Sequence, residues 1–122
     1  MRVLICGSRD WTDAELIRRV VARLPEDAIV IHGAARGADH LAERAALARG
    51  LVVYPFPADW TTYGKAAGPR RNQQMLDEGC PDVCVAFRLD GESRGTDDMI
   101  RRALADGVPV YVVDPRGRVR QA

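Results

Sequence analysis

The chain has 122 residues, 47% of them apolar and 29% charged, a balance that supports one folded domain with a real core and excludes a disordered chain. Eighteen Lys plus Arg against seventeen Asp plus Glu leave a net charge of +1, so no global field marks a nucleic-acid or membrane partner, and any basic site is local. No apolar run approaches the roughly 20 residues of a membrane span, and "VLIC" is too short for a signal-peptide core, so a cytoplasmic protein is expected.

"RVLIC" at 2–6 is a continuous apolar run ending at Gly7 and reads as a strand buried on both faces. From Thr12 to Leu24, Ala14, Ile17, Val20, Val21 and Leu24 recur at helical spacing, with Thr12 or Asp10 to cap and Pro25 to stop. "AIVIH" at 28–32 repeats the strand pattern up to Gly33; Ala38, Leu41, Ala42, Ala45 and Ala48 then mark a second helix closed by Gly50. "LVVYPF" at 51–56 is the third strand. Two prolines and two glycines without a helical period make 57–69 a long loop, of the length that usually carries function. A short helix over 70–78, a strand "DVCVAF" at 82–87, a helix from "ESRGTDDMI" to Asp106 and a strand "VPVYVV" at 108–113 follow, and the tail "PRGRVRQA" reads as frayed or edge-like. The predicted fold is a single α/β, Rossmann-like domain over 1–122, with a five-stranded, mainly parallel sheet and helices on both faces.

In such sheets ligands gather beyond the carboxyl ends of the strands. After the first strand, "CGSRDW" offers Gly7 for a tight turn, the Ser8 hydroxyl and Arg9 for bidentate phosphate contact; Ser8 serves equally well as a turn or cap residue, and Trp11 reads as core. After the second, "HGAARGADHLAERAA" brings Gly33, Arg36 and Gly37 before a helix whose exposed N–H groups would cradle a phosphate. Asp39 in its first turn reads as a dipole-matched carboxylate, with a sugar-hydroxyl contact as the sharper alternative. His32 and His40 lack metal-ligand partners at sensible spacing and read as hydrogen-bonding groups, so neither metal nor cofactor is expected. Trp60, Tyr63, Lys65, Arg71 and Asn72 supply a dense aromatic and cationic set for stacking a base and holding charge, while Arg70 reads as solvated. Ser93, Gly95 and Thr96 form a phosphate-type turn, with Thr96 as cap and Asp97 and Asp98 matched to the helix dipole. Cys6, Cys80 and Cys84 are odd in number and lack a C-x-x-C pair, which fits reduced thiols.

Taken in order, "GSRDW", "HGAARGADHLAERA", "YGKAAGPRRNQQM" and "SRGTDDMIRRA" resemble the small YspA-like branch of the SLOG superfamily. That superfamily also looks like the home of the LONELY GUY phosphoribohydrolases and of the Rossmann domain of the DNA-processing protein DprA. The resemblance implies a nucleotide-derived small-molecule ligand of the ADP-ribose type, and frequent homodimers. In the hydrolase branch an arginine pairs with a glutamate three positions after the threonine of a Gly-Gly-x-Gly-Thr motif. "PRRN" supplies Arg71 as that arginine, but Met99 stands at the glutamate position. Three readings follow: a binding module that senses or sequesters the ligand; an N-glycosidic hydrolase using Arg71 and Asp98; and a DprA-like DNA-binding module, which the near-neutral charge weakens.

Overall fold

A computed structural model describes residues 1–91 and 93–122. Strands β1 (Arg2–Gly7), β2 (Ile29–His32), β3 (Val52–Pro55), β4 (Val83–Phe87), β5 (Val110–Val113) and β6 (Val119–Gln121) form one sheet in the order β3-β2-β1-β4-β5-β6. Five of them run parallel, as alternating strands and crossover helices require, and β6 pairs antiparallel to β5. The sheet therefore has six strands, one more than the sequence reading predicts. The tail doubles back because the Asp114 carboxylate accepts the Arg116 and Arg118 N–H groups and closes a tight turn. Three residues of pairing carry too little pattern to announce a strand.

The strands' alternation divides the core in two. Val3, Ile5, Val30, Val85 and Phe87 face helices α1 (Ala14–Ala22) and α2 (Ala38–Ala48), while Leu4, Cys6, Ile31, Cys84 and Ala86 face α4 (Ala67–Asp77) and α5 (Arg94–Ala105). Full burial of one such Leu, Ile or Phe contributes about 1.5–3 kcal/mol, so both layers are needed to hold the sheet between them. Trp11 packs edge-on against Phe87 and donates its indole N–H to the Asp13 carbonyl. That anchor moves the start of α1 along the chain: Asp13, not Thr12 or Asp10, accepts the Glu15 and Leu16 N–H groups as the cap.

The 57–69 segment is not a plain loop. A single turn of helix, α3 (Trp60–Tyr63), is capped by Asp59 accepting from Thr62 N, then a 3₁₀ turn spans Gly64–Ala66, and α4 opens at Ala67. Pro69 sits in the first turn of α4, where its missing N–H has no intrahelical acceptor to lose. None of the described helices is long and apolar enough to cross a membrane. All three thiols are free; Cys6 and Cys84 are buried with sulfurs 3.9 Å apart, and Cys80 is exposed.

Candidate functional site

β1 lies between β2 and β4, so the chain leaves it in one direction and returns on its other side. Connections that part in this way open a crevice above the carboxyl ends of the two central strands. Here that crevice measures ≈ 760 Å³ and is lined by Gly7, Ser8 and Arg9 from the first loop, Lys65, Arg71 and Asn72 from the α3–α4 region, and Ser93 to Asp98 from the start of α5. A second hollow of ≈ 380 Å³ adjoins it across Arg9, Ala35, Trp60 and Arg71, and adds Gly33 and Arg36.

Two predicted residues stand apart. Tyr63 lines a separate groove along α4, under the Arg70 guanidinium at 4.0 Å, so Arg70 is exposed but stacked rather than simply solvated. Gly37 does not face the crevice. Its φ of +75° and its contact with the backbone of Ser8 and Arg9 leave no room for a side chain, so it fastens α2 to the β1 loop. Ser8 secures the same junction, since its carbonyl accepts from Trp11 and Ala38 and its hydroxyl from Asp10 N. Arg9 lies over the Trp60 ring at 5.3 Å, and the half-exposed indole forms one wall of the crevice. Arg36 is exposed, 3.8 Å from Asp10.

Arg71 is the hub. Its guanidinium stands where a Gly33 side chain would be, 2.6 Å from an ideal Cβ position, so any side chain at 33 would displace Arg71 from this seat. Nη1 donates to the Gly33 carbonyl and Nε donates to Asn72 Oδ1 at 3.1 Å. Burial pulls this guanidinium below its ordinary proton affinity, with the Asp39 charge acting the other way. Asn72, buried at the centre, donates in turn to the Gly95 carbonyl and to Asp98 Oδ2 at 2.9 Å.

At the start of α5, Ser93 holds the cap position without a side-chain bond, and Thr96 is buried inside the helix instead of capping it. Among the described residues an added Cβ at Gly95 would meet nothing within 4 Å, so there is open space at its Cα. The two aspartates behind it are occupied. Asp97 takes Arg88 Nε at 2.7 Å, and that bond holds its carboxyl below the usual aspartate range. Asp98 takes Arg101 at 2.6 Å, Arg102 at 2.8 Å and Asn72, with a side chain only 13% exposed. Met99 is 1% exposed and belongs to the core with Met75, Cys84 and Ala103, so a glutamate in its place would carry its charge into an apolar layer.

Asp39, which the sequence offers mainly as a dipole-matched carboxylate, has another setting. It is 5% exposed on the crevice floor, where Oδ2 accepts the Gly33 and Ala35 N–H groups at 3.1 and 3.3 Å. Oδ1 is buried and has no hydrogen-bond partner among the described residues. Burial outweighs the two bonds and the nearby His32 and Arg71, and pushes its pKa up. The available signal was its place on the Ala42 and Ala46 stripe of α2, since i, i+3 and i+7 share a helix face. His32 is buried and structural: Nδ1 accepts the Ala34 N–H, so the ring proton lies on Nε2 and goes to Glu43 at 3.1 Å. Beside Asp39, the Cys84 thiol and burial push Cys6 up, which keeps it protonated. Among the described residues no group of three or more His, Cys, Asp or Glu is placed to hold a metal ion.

The chain is 44% identical over 118 residues to the gene 61 protein of Mycobacterium phage D29, covering 89% of this chain and 93% of that one. Its fold is similar to that of DNA processing protein A (DprA) from Streptococcus pneumoniae, with a TM-score of 0.72 at 20% identity over 91% of this chain; it spans 49% of that protein's length. A fainter likeness, TM-score 0.49 at 13% identity over 98% of this chain and 36% of the other, is to Can2 from Sulfobacillus thermosulfidooxidans, and is too distant to bear on the site. The family model that describes the YspA, cpYpsA-related SLOG family matches residues 1–63. With half of its length matched by that model, the chain belongs to the YspA, cpYpsA-related SLOG family.

Proposed function

We propose that this chain binds a nucleotide or nucleotide-derived ligand of the ADP-ribose type in the crevice at the β1/β4 switch point. One observation carries the proposal: the α5 N-terminus, without a side-chain cap from Ser93 and with open space at Gly95 among the described residues, faces the same crevice as Arg71 and Lys65. Unsatisfied N–H groups at a helix start and a guanidinium beside them make a site for phosphate. Trp60 offers an aromatic face at the wall for the base or second sugar. Sensing or sequestering the ligand needs nothing more than this cradle.

The hydrolase alternative asks Asp98 to activate water, but both of its carboxylate oxygens are already engaged by Arg101, Arg102 and Asn72. No release of free base from AMP is therefore expected. For DNA binding, the Arg-rich tail lies in the β5–β6 hairpin, where Arg116 is paired with Asp90. Calorimetric titration with ADP-ribose, cyclic ADP-ribose, AMP and NAD tests the proposal. At least one should saturate, and Arg71→Ala should weaken it by about a hundredfold, the value of a charge-assisted bidentate contact. Silence across the panel would sink the idea.

A further inference from the structure

Among the described residues, Asp39 Oδ1 is the buried side-chain oxygen or nitrogen with no partner. A carboxylate oxygen in that position carries a desolvation cost that one hydrogen-bond donor removes. The carboxyl is held rigidly: Oδ2 is fixed by two backbone N–H groups, and the residue sits in the first turn of an 11-residue helix packed on the sheet. It also lines the crevice that contains the α5 N-terminus. A carboxylate repels phosphate, and the missing group is a donor, so the complementary ligand atom is a hydroxyl or an N–H.

We infer that Asp39 is the group that selects the sugar: its Oδ1 accepts a ribose hydroxyl of the bound ligand, and the site thereby prefers ribonucleotides to their deoxy counterparts. This rests on the ligand-binding function proposed above. The layout supports it, because the open α5 start and Arg71 receive the phosphate, Trp60 offers its face at the wall, and the carboxyl on the floor is left for what joins phosphate to base. Oδ1 has no solvent contact, and the Arg71 guanidinium, whose charge acts on Asp39, fills the space a Gly33 side chain would take while Asp39 holds the Gly33 N–H. In the proposed bound state a phosphate draws the guanidinium off the Gly33 carbonyl, which frees space beside Gly33 and Asp39 for the hydroxyl. Phosphate and hydroxyl are then recognised together, and a ligand with only one of them gains less.

The test is calorimetry of AMP and ADP-ribose against their 2′-deoxy and 3′-deoxy counterparts, and against IMP, on the wild type, Asp39→Asn and Asp39→Ser. Melting temperatures confirm that each variant folds, and the serine variant stands in if the asparagine variant does not. The wild type should favour the ribo-ligand over at least one deoxy form by about ten- to a hundredfold, the value of a hydrogen bond to a charged group. In the variants the preference should shrink to about threefold or less, with the deoxy ligand's affinity little changed. Equal ribo and deoxy affinity in the wild type, or a preference that survives both substitutions, overturns the inference while leaving the binding site intact. Loss with IMP but not with the deoxy ligands also overturns it, since the donor is then the base amine. If nothing in the panel binds the wild type, the inference falls together with the proposed function.

Discussion

The starts of α2 and α5 look alike in sequence: a glycine, small or hydroxyl residues, and an acidic residue in the first turn. Their environments are opposite. At α5 three arginines and an asparagine have closed around Asp97 and Asp98, and the backbone at Gly95 is open. At α2 the backbone is locked against the β1 loop through Gly37, and it is one carboxylate oxygen, Asp39 Oδ1, that lacks a partner among the described residues. In the proposed site, one helix start offers N–H groups to an anion, and the other offers an acceptor to a donor. An acidic residue in a first turn therefore tells little about function until its partners are known.

Three experiments sharpen or break this contrast. The largest effect is expected from exchanging the two glycines for alanine. Gly37→Ala forces a side chain into a positive φ and onto the Ser8 and Arg9 backbone, and should cost about 2–4 kcal/mol in urea unfolding. Gly95→Ala meets open space and should leave stability unchanged or raise it by up to about 1 kcal/mol through helix propensity. It should weaken ligand binding all the same, because the methyl stands where the proposed site receives its phosphate. Equal destabilisation by the two would break the distinction between a locked and an open turn.

A middle-sized effect separates the acids. Asp98→Ala strands Arg102 and the buried Asn72, for a loss of about 1–3 kcal/mol. Asp39→Asn keeps an oxygen for the two backbone donors and removes a charge that burial disfavours, so at neutral pH stability should hold or rise by about 1 kcal/mol.

The smallest effect is in pH dependence, and its sign differs between the two sites. Asp97 has a folded pKa below its unfolded value, so its contribution is present above the unfolded pKa and is lost as pH falls through the folded one. Asp39 is the reverse. Its folded pKa is raised, so stability is greatest below the unfolded value near 3.8 and declines as pH rises through the folded pKa. Unfolding followed from acid to neutral pH should show Asp97→Asn flattening the acid limb and Asp39→Asn removing the decline on the rising side.

Much of the fold was legible because its signals are local. "RVLIC" and "DVCVAF" become β1 and β4 because continuous β-rich apolar runs fit strands buried on both faces. Loops at the ends of those strands were legible as the place to look for a site, since parallel topology leaves them together. Harder to read were α3 and the early start of α4, because Trp60–Tyr63 is one turn long and Gly68 and Pro69 resemble a loop signal. β6 escaped for the same reason of length. Within the site, Arg71 and Asn72 were identified from a resemblance and from their place near a helix start; their mutual bond and its extension to Asp98 were not, because residues 71, 72 and 98 are joined by packing between α4 and α5.

By itself the sequence determined the α/β class, the order of the five parallel strands and the four longer helices, and the loops that meet at the crevice, all of which follow from residue type and spacing; that Met99 stands at the hydrolases' glutamate position came from the resemblance. Only the tertiary structure decided which acid is spent and which is spare. A carboxylate's state depends on the charges and solvent around it, and those come from Arg88, Arg102, Gly33 and Arg71, residues that spacing alone cannot bring together.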